Sequence, residues 1–142
     1  MSLVVDASAL VKFVIEEHGS KEARREFKGA FKRGWKVCAP DIALSEALNA
    51  LWKHHVLLND LNDEAFWGAV EDLLMLWRGL TSCRTADIAH EAAEIAVKHR
   101  MTVYDALYLT LALKNNATLL SFDENLRKAA DELDLHIVPQ RL

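Results

Sequence analysis

Short apolar runs alternate with longer stretches of helical periodicity along this chain. Leu3-Val4-Val5 is a β-prone run that ends at Asp6. Over residues 9–17, Leu10, Phe13 and Val14 recur at the three- and four-residue spacing of a buried helix face. Gly19-Ser20 interrupts that pattern, and Ala23, Phe27, Ala30 and Phe31 mark a second helix that runs up to Gly34. Residues 35–39 read as a strand. Pro40-Asp41 opens a long helix with Leu44, Leu48 and Leu51 on one side, and Asn62-Asp63 opens another, with Phe66, Val70, Leu73, Leu74 and Trp77, that stops at Gly79. Residues 80–83 are a weak strand. Thr85 or Asp87 caps the next helix, and residues 102–114 form one more. Thr118-Leu119-Leu120 is a strand, residues 124–133 a helix, and His136-Ile137-Val138 a last strand before Pro139. Short apolar strands between helices predict an α/β fold with a parallel sheet covered on both faces. In such sheets the ligand crevice lies beyond the carboxyl ends of the strands.

Composition adds bounds to this picture. The chain has 142 residues with only five Gly and two Pro, no repeat and no linker, so a single domain over residues 1–142 is expected. An apolar fraction of 51% is enough for a core without disulfides. The two cysteines, Cys38 and Cys83, have no metal-type spacing, and buried free thiols in a reducing compartment are expected. The N-terminus shows no leader pattern, and no apolar run approaches the roughly 18 residues of a membrane span, so the expectation is a cytoplasmic protein with no membrane contact. Net charge is 17 − 21 = −4, which does not advertise nucleic-acid binding. The cations are uneven, however. Lys21, Arg24, Arg25, Lys28, Lys32, Arg33 and Lys36 crowd together, opposed only by Glu22 and Glu26. A solvated helix face explains them, and a phosphate-contacting patch is the functional alternative.

Four acids fall where the crevice rule gives them meaning. Asp6 ends the first strand and also suits the N-cap of the following helix. Glu46 points away from Leu44, Leu48 and Leu51 on a helical wheel, toward a face with Ile42, Ala43 and Ala50. Asp105 sits three residues after Thr102, as in a capping box, but opens a helix that is apolar nearly all round, so it is expected to be covered. Asp123 follows the fourth strand, where Ser121 and Glu124 match a capping box and Asp123 itself can cap. Each acid alone has this ordinary explanation. Together they would bring like charges into one place and raise one another's pKa, a cost that a divalent cation removes. Hard oxygen ligands select Mg²⁺ or Mn²⁺ over zinc, and His54-His55 are adjacent, so they do not share a helix face as a zinc pair would.

The same residues resemble the PIN-domain family, especially the VapC-type toxins of prokaryotic toxin–antitoxin pairs. Residues 3–11, from Leu3-Val4-Val5-Asp6 through Ser8 to Val11, look like that family's first motif. Pro40 with Ser45-Glu46-Ala47-Leu48-Asn49 resembles the second, Thr102-Val103-Tyr104-Asp105-Ala106-Leu107-Tyr108 the third and Leu120-Ser121-Phe122-Asp123 the fourth. Ser121 stands where many members have Thr, and the hydroxyl is kept. The resemblance implies a three-layer α/β/α sandwich around a parallel sheet of about five strands. It implies a Mg²⁺- or Mn²⁺-dependent endoribonuclease acting on RNA, with Asp6, Glu46, Asp105 and Asp123 as catalytic, metal-binding acids. Asp6 and Asp105 would be the principal ligands, and the Ser8 and Ser121 hydroxyls would orient them or water, unless both serines serve only as caps. A cognate antitoxin and a homodimer are implied as partners. The tryptophans, Trp35, Trp52, Trp67 and Trp77, are expected mainly in the core. Trp52, Trp67 and Leu57-Leu58 have the alternative of a dimer or antitoxin groove.

Two competing readings remain at this level. A phosphohydrolase with an Asp nucleophile after the first strand wants a second Asp at the position of Ser8, which disfavours it. A catalytically silent PIN-like module that binds RNA or protein would keep the fold and lose the metal.

Overall fold

The computed structural model describes all residues 1–142. Five strands form its single sheet: β1 (Ser2–Val5), β2 (Lys36–Pro40), β3 (Thr81–Cys83), β4 (Thr118–Leu120) and β5 (Ile137–Val138). They lie in the order β3-β2-β1-β4-β5, and every pairing is parallel. Leu3 stands opposite Val37 on one side and Thr118 on the other. Val4 and Val5 have no exposed surface, as an unbroken apolar strand between two covered faces requires.

Seven helices cover the sheet: α1 (Ala7–Val14), α2 (Ser20–Lys32), α3 (Ile42–Trp52), α4 (Asp63–Arg78), α5 (Thr85–His99), α6 (Val103–Asn115) and α7 (Glu124–Glu132). The chain moves outward from β1 to β2 to β3, then returns to place β4 and β5 on the far side of β1. Right-handed crossovers in these two opposite directions put α1 to α4 on one face and α5 to α7 on the other. The packing agrees, since α1 meets α2, α3 and α4, while α5 lies against α6 and α6 against β1 and β2. The result is the three-layer α/β/α sandwich. The direction of travel reverses between β1 and β4, so the crevice expected at a topological switch point opens past Val5 and Leu120.

Local chemistry accounts for the helix starts and for several departures from the sequence reading. Asp6, Asn62, Thr102 and Asp123 each accept a backbone N–H from the first turn of their helix. Ser121 is not a cap: the cap is Asp123, whose carboxylate accepts the Leu126 N–H at 3.0 Å. At Thr102 only half of the capping box forms, because its hydroxyl accepts the Asp105 N–H at 3.2 Å and the Asp105 carboxylate stays free. Neither Thr85 nor Asp87 caps α5. Arg84 holds the cap position and pairs with Asp87, while the Thr85 hydroxyl donates to Asp41. The buried positions of α3 are Ala43, Ala47 and Leu51, with Leu44 and Leu48 half-covered, so the helix is turned from the leucine-centred wheel. α6 is buried at every residue over 106–112, as its composition requires.

α3 continues into one π-helical turn, Lys53–Leu57, that buries nothing. His54 Nδ1 lies 2.9 Å from Asp60, and His55 Nδ1 lies 2.7 Å from the Leu61 carbonyl, so the two imidazoles clip the loop that follows. Trp35 and Trp77 are partly buried and pack against the core, as expected, whereas Trp52 and Trp67 are 43% and 61% exposed, which corrects the core expectation for those two. Cys38 is buried in β2, whereas Cys83 is only partly covered on the edge strand. No helix is long and apolar enough to cross a membrane.

Candidate metal centre

Asp6 sits at the end of β1, 4% exposed, with its N–H donating to the Leu120 carbonyl of the neighbouring strand. Its carboxylate is held from two sides. The Ser8 hydroxyl donates to Oδ1 at 2.6 Å and in turn accepts the Phe122 N–H at 2.9 Å. The Ser121 hydroxyl donates to Oδ2 and in turn accepts the Asp123 N–H at 3.1 Å. Each serine thus relays one backbone N–H of the β4–α7 turn to one oxygen of Asp6. Chains of this kind polarise and strengthen their members, and here they lock the two strand ends together. Both serines bind Asp6 directly, and neither N-caps a helix.

Burial pushes the Asp6 carboxyl up from its ordinary value of 3.8 to about 6, against the opposing pull of the Ser121 and Ser8 hydroxyls and the Ala9 N–H. The nearby Asp123 carboxylate pushes it in the same direction as burial. Asp105, half-buried in the first turn of α6, is also raised, first by burial and then by Asp123. Glu46 is half-buried on α3 and accepts the Tyr108 hydroxyl at 2.5 Å. Tyr108 is pushed far above the ordinary phenol range by burial, by this bond and by the charges of Glu46 and Asp6, so it stays a neutral donor. The Asp123 charge thus acts on both Asp6 and Asp105, while Glu46 is tied to the site by its bond from Tyr108.

None of the four acids belongs to an ion pair. Arg127, which feels the Asp6 charge, is committed to the Ser121 and Pro139 carbonyls at 2.9 and 2.6 Å, and burial lowers its pKa. As the side chains lie, no three acids, histidines or cysteines stand within ligating reach of a common point. Like-charged carboxylates repel one another, a cost that a divalent cation would offset. The donor set fits such a cation. All its donors are oxygen, Asp105 keeps both oxygens free, and Glu46 and Asp123 each keep one.

An open cleft of ≈ 520 Å³ lies between α1 and α3, lined by Ser8, Lys12, Glu46, Asn49, Lys53, His54, Phe122 and Asp123 among others. Asp6, covered by Ser8, and Asp105 do not line it. Lys12, His54 and Arg127 carry no signal in their sequence spacing that ties them to the acids, whereas Asn49 and Lys53 follow Glu46 at helical spacing. Tyr108 had one, since it follows Asp105 by three residues and so shares its helix face. The basic stretch 21–36 is not gathered here. Arg24 is bonded to Glu16 and to the Phe13 and Ile15 carbonyls, and Lys36 begins β2 at the end of the sheet opposite Asp6.

At the switch point of this parallel sheet stands a buried, serine-tethered Asp6 with no ion-pair partner and the Asp123 charge acting on it. Residues 3–132 match the PIN domain family, and the chain belongs to it. It is 37% identical over 128 residues to Ribonuclease VapC3 of Pyrobaculum aerophilum, an alignment covering 89% of this chain and 92% of that one. Among solved structures, PAE2754 from Pyrobaculum aerophilum superposes with a TM-score of 0.70 at 24% identity, over 96% of this chain and 83% of that chain. A toxin–antitoxin complex from Klebsiella pneumoniae superposes with a TM-score of 0.61 at 14% identity, over 85% and 86% of the two chains.

Proposed function

We propose that this protein is a divalent-metal-dependent endoribonuclease and the toxin of a toxin–antitoxin pair. One observation carries the reading: Asp6, Glu46, Asp105 and Asp123 take part in no ion pair, and burial together with the Asp123 charge holds Asp6 and Asp105 above the ordinary carboxylate range. The relative named Ribonuclease VapC3 supports RNA as substrate, and the Klebsiella pneumoniae complex supports an antitoxin partner. A homodimer follows from the family resemblance.

In this reading Asp6 and Asp105 would hold Mg²⁺ or Mn²⁺, with Asp123 and Glu46 completing the site directly or through water. Such a cation would supply positive charge for the phosphodiester and for an attacking water. The chain's own residues do the positioning. Ser8 and Ser121 fix both oxygens of Asp6, so one carboxylate orientation is set before metal or substrate arrives. Tyr108 fixes Glu46 while leaving its second oxygen to face the cleft.

Incubation of the purified protein with total RNA, in Mg²⁺, in Mn²⁺ and in EDTA, followed by mapping of cut ends, tests the proposal. Cuts should appear with either metal and vanish with EDTA and in Asp105→Asn, which should retain the fold. RNA left intact in both metals, or full activity of Asp105→Asn at saturating Mg²⁺, overturns it. A catalytically silent binding module would give the first of those results.

A further inference from the structure

We propose that Asn49 and Lys53 form a phosphate-binding subsite that holds the single-stranded RNA backbone beside the Glu46 end of the acid crevice. This rests on the ribonuclease reading and specifies where its substrate lies. Glu46 and Asn49 on α3 and Lys53, the first residue of the turn that continues it, are spaced by three and four residues, so they follow one another along one side over about 10 Å of helix rise. All three line the same cleft as Ser8 and Asp123.

Charge singles out Lys53. An RNA strand reaching these acids must cross a field of uncompensated carboxylates, and it needs a free cation beside them. Two lysines line the cleft. Lys12 is occupied: its ammonium donates to the His18 carbonyl at 2.7 Å and to Glu17 at 3.1 Å, and its side chain is only 17% exposed. Lys53 is exposed and pairs with no carboxylate. His54 turns instead toward Asp60 and Glu17. The Asn49 amide is likewise uncommitted and one helical turn nearer Glu46, where a neutral donor can meet a phosphate oxygen without opposing the metal-binding acids. A flexible ammonium and a neutral amide in line with a catalytic acid suit a backbone phosphate, which is read as charge and not as sequence.

The test is steady-state cleavage of an unstructured RNA by Lys53→Ala, Lys53→Arg and Asn49→Ala, together with equilibrium binding of the same RNA by Asp105→Asn with and without Lys53→Ala. Lys53→Ala should raise KM about tenfold with kcat unchanged, as expected for loss of one charge-assisted contact. The slope of log affinity against log salt should become shallower by about 0.7, the value for one phosphate contact on a single strand. Lys53→Arg should retain most affinity and the slope. Asn49→Ala should raise KM less and leave the slope alone, because no charge is lost. Lys32→Ala, at the far end of α2, should change neither quantity. Metal-dependent cutting with KM and salt slope unmoved in Lys53→Ala overturns the subsite alone. RNA binding that depends on Lys53 without any cutting by the parent protein supports the subsite and overturns the nuclease reading. RNA neither cut nor bound overturns both.

Discussion

Replacing Asp6 by Asn should make the metal-free protein more stable at neutral pH. The magnitude comes from burial. The Asp6 carboxyl is raised from 3.8 to about 6 in the folded protein, so ionising it there costs about two pKa units, or about 3 kcal/mol. A group whose folded pKa lies above its unfolded one favours the fold fully below the unfolded value. That contribution is lost as pH rises through the folded value. The wild-type protein should therefore lose about 2.4 kcal/mol between pH 4 and pH 7 from this group alone. Asparagine keeps the shape, caps α1 through the Ala9 N–H and accepts the Ser8 hydroxyl. Its amide nitrogen replaces the oxygen bonded to Ser121, whose hydroxyl has a second lone pair with which to accept. Urea unfolding of both proteins in EDTA from pH 4 to pH 8 measures the difference. Asp105, raised in the same direction, is present in both and cancels. Asp6→Asn should match the wild type near pH 4 and exceed it progressively above pH 6. A stability difference that does not change with pH, or a less stable Asp6→Asn at pH 7.5, refutes the reasoning.

Two further outcomes follow from the same geometry. Tyr108→Phe removes the 2.5 Å bond to Glu46 and should cost about 1–2 kcal/mol in urea unfolding, and it should lower kcat because Glu46 loses its orientation; an unchanged kcat would separate Glu46 from the reaction. Gly19→Ala should destabilise by about 1 kcal/mol or more in a thermal melt, because Gly19 has φ +92 and an added Cβ would stand 3.0 Å from the Phe122 ring and 3.1 Å from Lys12.

The strands and helices were legible because the apolar runs are short and the helical periods clear, and β1 ending at Asp6 followed directly from the run Leu3-Val4-Val5. The face of α3 was not. Leucines dominate any wheel weighted by size, yet Ala43 and Ala47 are the residues small enough to sit fully against the neighbouring helices, and Leu44 and Leu48 flank them. Ser121-x-x-Glu124 fits a capping pattern, but the carboxylate two residues later takes the cap and frees the serine for Asp6. Local pattern cannot weigh a partner 115 residues away. The same holds for the site. Each acid could be named from its place at a strand end or helix start, whereas the bond from Tyr108 to Glu46 joins residues 62 apart and depends on how α6 and α3 pack. Trp52 and Trp67 looked like core by residue type and are exposed: the buried face of α4 is Ala69, Leu73 and Leu76, and Trp52 ends α3 one residue past its last buried position, Leu51.

The strand order has a consequence for how the protein opens. Segments of a fold exchange their amide hydrogens through openings that cost almost nothing at frayed ends and approach global unfolding in central strands. β1 and β4 are interior strands, and the Asp6 N–H is part of their ladder, so Asp6 leaves its place only when the middle of the sheet comes apart. Glu46 rides on a helix that passes into a turn burying nothing. The crevice thus joins two kinds of anchor: strand ends in the middle of the sheet for Asp6, and for Glu46 a helix braced by the Tyr108 hydroxyl. The Asp6 amide should accordingly exchange among the slowest in the protein.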